Sequence, residues 1–178
     1  MVWKDYIVNQ FGRIDRSTTT ENHLYAAYCS LLYDLFPPEE YYDVAPQFRR
    51  NTGTVDYTIA FVVLKWAVPI FFVEIKTFEA LELGSARDAA DNQMRTIFLD
   101  FSSDHLPQSK LIGISAIGTH FAVYEYTPHD RRIHPSIIAD TAPKERWSDD
   151  IMEDSGEAKL KALVNEVKEM ASAIDKDC

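Results

Sequence analysis

Residues 54–76 constrain the fold most, because two apolar runs follow each other there with charged residues at their outer ends. Residues 55–64 are rich in β-branched and aromatic side chains, which is typical of a β-strand. Residues 69–76 begin with a proline, which a strand tolerates at its start, and continue with apolar residues. The segment between the runs, residues 65–68, contains no glycine or asparagine. The pattern therefore predicts a β-hairpin but not the type of its turn.

Three charged residues of this hairpin are expected to meet. A hairpin centred near Trp66 places Glu74 opposite Thr58 and Lys76 opposite Asp56. Because side chains alternate between the two faces of a strand, the two carboxylates and the ammonium then share one face. Burying ions is costly unless they are paired or bind a metal, and a pair of carboxylates suits Mg²⁺ or Mn²⁺. The lysine beside them could stabilise a developing negative charge or orient an attacking water.

Asp56, followed after an apolar run by Glu74-Ile75-Lys76, resembles the motif of the PD-(D/E)xK nuclease superfamily. Val55 stands where the motif often has proline, a departure that is frequent in the superfamily. The resemblance spans about residues 17–127 and implies an α/β fold of restriction-endonuclease-like type, with a mixed central sheet flanked by helices. It also implies a nuclease that uses Mg²⁺ or Mn²⁺. In such an enzyme Asp56, Glu74 and the Ile75 carbonyl would bind the metal, and Lys76 would activate water or stabilise charge.

Two residues outside the hairpin are further candidates. In the superfamily an acid from the first helix often joins the metal site, and Glu21 has that place here; alternatively, Thr18 and Glu21 form a helix capping box. A second helix is predicted from Ser85, its N-cap, to about Phe101. Gln93 interrupts the apolar stripe of this helix, and the resemblance implies that it assists catalysis. Alternatively, its amide satisfies a stray backbone group.

The net charge of −10, from 18 basic and 28 acidic residues, argues against tight, indiscriminate binding to duplex nucleic acid. It does not argue against nuclease chemistry, because metals offset the charge of active-site acids. Two basic pairs, Arg49-Arg50 and Arg131-Arg132, are the candidates for contacts with the phosphates of DNA or RNA.

A chain of 178 residues suits one domain with an adequate core. Residues 1–140 are expected to form it, with an edge strand near residues 45–50 and further strands at 111–117 and 119–126. Residues 141–154 are polar and acidic and are expected to be a linker or loop. Residues 155–178 carry an amphipathic helix. This helix is expected to pack on the core or on a partner, which leaves a homo-oligomer or another protein partner open.

The sequence also bears on the location of the protein. No apolar run approaches the roughly 20 residues that span a bilayer, and the N-terminus lacks the apolar core of a signal peptide. The two cysteines, at positions 29 and 178, form no disulfide or zinc pattern. We therefore expect no membrane association and an intracellular location, cytoplasmic or nuclear.

Two functions follow from these observations. The first is a metal-dependent nuclease that hydrolyses phosphodiesters of DNA or RNA with the Asp-Glu-x-Lys residues. The alternative is a catalytically inactive protein of the same fold that binds or assembles other proteins, which the acidic composition favours. A third interpretation is purely structural, with a salt bridge from Asp56 to Lys76 and with Glu74 capped by backbone amides.

Overall fold

The computed structural model describes residues 3–51 and 56–174, with the backbone alone for Asp56. In these ranges the chain forms four α-helices and seven β-strands. The helices are α1 (Asp5–Gly12), α2 (Asn22–Leu35), α3 (Gly84–Phe101) and α4 (Asp154–Ala171). The strands are β1 (Tyr42–Asn51), β2 (Asp56–Lys65), β3 (Val68–Lys76), β4 (Leu111–Ile117), β5 (His120–Thr127), β6 (Arg132–His134) and β7 (Asp149–Asp150).

All seven strands belong to one mixed sheet in the order β1-β2-β3-β4-β5-β6, with β7 paired to β5. Strands β1, β2 and β3 form an antiparallel meander. Strand β4 is parallel to β3 and antiparallel to β5. The connection between the parallel strands contains α3, as such crossovers usually contain a helix. The prediction of a mixed α/β structure is thus confirmed.

Helices cover both faces of the sheet. The α2 face, covered by α1, α2 and α4, buries Phe71, Val73 and Ile75 of β3. The α3 face, covered by α3 and by residues 142–147, buries Phe72 of the same strand. Alternate residues of β3 therefore enter two different clusters, as strand geometry requires. No helix in the described parts of the chain is both long and apolar enough to cross a membrane.

A glycine lets α3 approach the sheet closely. Gly113 pairs with Phe72 across β3 and β4. A Cβ atom at Gly113 would lie 2.5 Å from Cζ of Phe72 and 2.8 Å from Cε of Met94 on α3, far inside contact distance. Gln93 directly precedes Met94. This close approach therefore holds the middle of α3 beside the second half of β3, where Glu74 lies.

Several element bounds differ from the prediction. Strand β4 has the expected bounds, whereas β1 runs from Tyr42 to Asn51 and is longer than the predicted edge strand, because it pairs along the whole of β2. Helix α3 begins at Gly84 with Leu83 as N-cap, so the expected Ser85 cap is wrong.

Residues after 140 pack on the rest of the chain. Trp147 is buried in the α3-face cluster and donates from Nε1 to Ser115 Oγ at 3.2 Å, so the expected linker is anchored to β4. Leu160, Val164 and Val167 of α4 are buried against the α2 face. Of the two expected positions for this helix, the structure thus has the one on the core.

The β2–β3 hairpin closes through two residues in the left-handed region, Trp66 (φ 50°) and Ala67 (φ 65°). This conformation is typical of a type I′ turn, which usually contains Asn and Gly. The Trp66 ring stacks on Tyr41, with centroids 5.0 Å apart. A register shift between Val63 and Leu64 adds a bulge to the hairpin. The turn and the bulge together fix which residues of β2 lie opposite Glu74.

We expect Ala67→Gly to stabilise the protein by about 0.5–1 kcal/mol, because glycine adopts the left-handed region without the steric cost that alanine has there. The measurement is the free energy of unfolding in urea. The matched control is Ala158→Gly at an exposed position of α4. There the same change should destabilise by about 1 kcal/mol. Equal effects at both positions would contradict the role assigned to the turn.

Candidate active site

Glu74 is a buried carboxylate where β2 and β3 cease to pair. Its side chain is held by two donors: the Ala60 amide donates to Oε1 at 3.0 Å, and Gln93 Nε2 donates to Oε2 at 2.8 Å. The β2–β3 pairing ends at Phe61 and Val73. One residue further, the Ala60 amide is bound by the Glu74 side chain. The carboxylate thus fills the position at which the two strands part.

Strand β2 is irregular at the same point. Tyr57 and Ile59 pack in the α3-face cluster, whereas both Ala60 and Phe61 belong to the α2-face cluster. The alternation of side chains is therefore interrupted at Ala60. On the neighbouring strand, Gln47 has a φ of 49°, in the left-handed region. The side chains of β2 on the two sides of Ala60 consequently do not follow one continuous alternation between the faces of the sheet.

The predicted register of the hairpin is wrong by two residues. Since Phe61 pairs with Val73, Glu74 comes opposite Ala60 and not Thr58. The backbone of Asp56 pairs with Asn51 of β1. Asp56 precedes Ala60 by four residues on β2, which corresponds to about 13 Å along the strand. The side chain of Asp56 lies outside the described residues, so its proposed role at the metal is not placed by the structure.

The surroundings of Glu74 raise its pKa to about 7. Burial is the main cause, because it disfavours the charged form. The Ala60 amide and the positive charge of Lys76 lower the pKa, and the negative charge of Glu21 raises it. The carboxyl group therefore keeps its proton to a much higher pH than an ordinary glutamate does.

Lys76 and Ile75 follow Glu74 on β3. Lys76 is half-buried, and its backbone carbonyl accepts a hydrogen bond from the Gly118 amide at 2.9 Å. Its ammonium acts on Glu74 through its charge. The side chain of Ile75 is buried on the α2 face, so any ligand from this residue would be its backbone carbonyl.

The expected capping box at the start of α2 is wrong. Glu21 is itself the N-cap residue, with no side-chain cap hydrogen bond among the described residues. The Thr18 hydroxyl lies 2.6 Å from Nδ1 of His23 instead. The charge of Glu21 instead contributes to the raised pKa of Glu74. Glu21 and Glu74 are therefore the two described carboxylates that interact at this site.

Gln93 contacts the carboxylate and not a stray backbone group. The amide faces inward from α3, and the sequence does not indicate its partner. Its role is to hold one oxygen of Glu74 while the Ala60 amide holds the other.

The two arginines of β1 differ in their surroundings. Arg50 binds Asp104 at 2.8 Å and also pairs with Asp100, and its guanidinium lies 4.5 Å from the centroid of the Phe101 ring. Tyr57 donates to the same Asp100. Arg50 thus fastens the β1–β2 ribbon to the end of α3. Arg49 is exposed and pairs across the strands with Thr58, two residues beyond Ala60.

The second basic pair lies at the opposite end of the sheet. Arg132 pairs with Thr127 at the end of β5, whereas Glu74 is level with Ser115 of β4 and thus with Ala122 of β5. The five residues from Ala122 to Thr127 correspond to about 17 Å. Arg131 and Arg132 are exposed, and they do not form one strip with Arg49 and Arg50.

One residue near the site was missed at the sequence level. Tyr25 lies one helical turn after Glu21, and its ring packs edge-to-face on Phe61, with centroids 5.8 Å apart. Its pKa is raised by burial first and then by the charges of Glu74 and Glu21. The signal in the sequence is the spacing of four residues from Glu21, which puts both side chains on one face of α2.

The described residues thus unite a buried acid, a second acid, a lysine and a positioned amide. Within these residues, no group of three or more His, Cys, Asp or Glu side chains is arranged to hold a metal ion. No family model, curated protein or solved structure matches the chain.

The raised pKa of Glu74 predicts a pH-dependent stability. The folded protein holds a proton on Glu74 up to about pH 7, whereas the unfolded chain loses it near the ordinary value of 4.5. The free energy of unfolding should therefore fall as the pH rises from about 4.5 to 7, by roughly 3 kcal/mol from this group alone. Glu74→Gln should lack this contribution, so that it matches the wild type near pH 5 and exceeds it in stability near pH 8.

The measurement is the difference in unfolding free energy between wild type and variant, taken from pH 5 to 8 with a chelator present. Glu79→Gln, a change of an exposed glutamate five residues away, is the control and should leave the wild-type profile unaltered. A difference between Glu74→Gln and wild type that stays constant with pH contradicts the raised pKa.

Proposed function

We propose that the chain is a metal-dependent nuclease of restriction-endonuclease-like fold that hydrolyses phosphodiesters in DNA or RNA. The observation that carries the proposal is the buried Glu74 carboxylate, with its pKa raised to about 7, at the point where β2 and β3 part. Perturbed acids of this kind concentrate at functional sites. The positive charge of Lys76, two residues further on, favours the ionised form that a cation would bind.

The order of elements supports the proposed fold. Helix α2 precedes the meander β1-β2-β3, and α3 leads from β3 to the parallel strand β4. In the superfamily that the motif resembles, the first acid and the E-x-K residues likewise lie on successive core strands, with a helix following. Glu74 and Lys76 lie at the end of β3, immediately before that connection.

The residues at the site suit a hard divalent cation. Glu74 accepts one hydrogen bond on each oxygen, which leaves a lone pair on each for a cation. Glu21, Asp56 and the Ile75 carbonyl would complete the oxygen ligands for Mg²⁺ or Mn²⁺. When bound, the cation polarises the phosphate and lowers the pKa of a coordinated water.

The other side chains have separate tasks. Lys76 stabilises the negative charge that develops on the phosphate or orients the attacking water. Gln93 and the Ala60 amide keep the Glu74 carboxylate in one orientation. Of the two arginines on β1, Arg49 is the one whose side chain is exposed. It lies about 7 Å along the β1–β2 ribbon from Ala60. The side chain is therefore within reach of a neighbouring phosphate.

A second function is favoured by one observation: Asp56 lies about 13 Å of strand from Ala60, the residue opposite Glu74. If its carboxylate does not reach the site, the metal ligands are incomplete. The protein is then a catalytically inactive member of the fold that binds or assembles other proteins. The net charge of −10 agrees with this alternative.

The proposal is tested first by metal binding. With 10 mM Mn²⁺ and a dissociation constant of about 1 mM, the protein should gain about 1.4 kcal/mol, or several degrees in Tm. The shift should weaken below pH 7, since the cation competes with the proton of Glu74. Glu74→Gln should abolish it and Glu79→Gln should not. Separate Asp56→Asn and Glu21→Gln variants identify which second acid binds.

Cleavage is the second test, on labelled single- and double-stranded DNA and RNA with Mn²⁺. Lys76→Ala should lower the rate by about 100-fold or more while the metal-induced Tm shift persists, because the lysine acts on the phosphate and does not bind the cation. A Tm shift without cleavage of any substrate favours the non-catalytic alternative. The absence of both refutes the nuclease proposal.

A further inference from the structure

Tyr25 lies beside the candidate site without being part of the motif. It follows Glu21, the N-cap of α2, by four residues, so the two side chains occupy the same face of the helix. Its neighbour on that helix, Leu24, is buried in the α2-face cluster, whereas Tyr25 is half-buried at the margin of that cluster. The Tyr25 ring is thus packed against the cluster on one side and accessible to solvent on the other.

The ring of Tyr25 is fixed against the strand that holds Glu74. It packs edge-to-face on Phe61, at 5.8 Å between centroids and an interplanar angle of 69°. Phe61 directly follows Ala60, whose amide binds the Glu74 carboxylate. The tyrosine therefore flanks the opening between β2 and β3 on the α2 face, and Gln93 flanks it on the α3 face.

The hydroxyl of Tyr25 is available to donate a hydrogen bond. In the described part of the chain, no group accepts a hydrogen bond from it, whereas the hydroxyls of Tyr28, Tyr57 and Tyr124 each bind a carbonyl or carboxylate. Burial and the charges of Glu74 and Glu21 raise its pKa, so the phenol stays protonated at neutral pH. At neutral pH the hydroxyl can therefore donate a hydrogen bond without losing its proton.

We propose that the Tyr25 hydroxyl contacts the substrate and donates a hydrogen bond to a non-bridging oxygen of the scissile phosphodiester. The inference rests on the proposed nuclease function and names a further residue of that site. A phosphate that enters beside two carboxylates gains from every uncharged donor that faces it, and the phenol supplies one from the side of the opening opposite Gln93. Tyr25 would then orient the phosphate for attack.

Tyr25→Phe is the test, because it keeps the ring and its packing on Phe61 and removes only the hydroxyl. We expect kcat/KM for cleavage to fall by about 10- to 100-fold. The melting temperature and its Mn²⁺-induced shift should stay at wild-type values. The matched control is Tyr33→Phe on the same helix, where the side chain is 45% exposed, and it should cleave like the wild type.

A sulfur substitution on the substrate separates contact from indirect effects. A phosphorothioate at a non-bridging position accepts hydrogen bonds poorly. For one diastereomer, sulfur should therefore slow the wild type more than it slows Tyr25→Phe. If the effects of sulfur and of Tyr25→Phe multiply for both diastereomers, the proposed contact does not exist.

The remaining outcomes are also decisive. Wild-type cleavage together with full activity of Tyr25→Phe overturns the inference and leaves the nuclease function intact. Loss of the Mn²⁺-induced shift in Tyr25→Phe overturns it as well, since the hydroxyl would then belong to the metal site. A wild-type protein that cleaves no substrate, whether or not it binds Mn²⁺, removes the proposed function and, with it, the role of Tyr25.

Discussion

The structure depends on one hydrogen bond, in which the Glu74 carboxylate accepts from the buried backbone amide of Ala60. Where β2 and β3 separate, the Ala60 amide would otherwise be buried without an acceptor, at a cost of about 1–3 kcal/mol. Glu74 removes that cost, and Gln93 satisfies its second oxygen. The opening between the strands and the perturbed acid inside it are thus two aspects of the same contact.

Much of the fold follows from local sequence patterns. Runs of β-branched and aromatic residues locate β2, β3 and β4, and the bounds of β4 agree with the prediction. The register of the hairpin does not follow, because it depends on backbone irregularities that composition does not reveal. A bulge at Val63–Leu64 and left-handed residues at Trp66 and Ala67 move Glu74 two residues from its expected partner. One such irregularity is enough to invalidate an argument from alternation.

The candidate site is predictable only in part, for a similar reason. Glu74, Lys76 and Gln93 can be found because a motif or an interrupted apolar stripe distinguishes them. The partners of Arg50 cannot be found, since Asp100 and Asp104 lie about 50 residues away in sequence. Tyr25 is missed because its significance depends on contact with Phe61, which belongs to a different element. Sequence reasoning therefore identifies chemically unusual residues better than it identifies their neighbours.

Two of the contacts between α3 and the sheet serve different parts of the protein. Gln93 holds Glu74, and Asp100, seven residues later, holds Arg50 and Tyr57 of the β1–β2 ribbon. These points are about 10.5 Å apart along the helix axis. The helix consequently acts as a rigid spacer, which sets the distance between the outer part of the ribbon and the acid in the opening. A molecule that contacts both the outer part of the ribbon and Glu74 must therefore span a fixed distance.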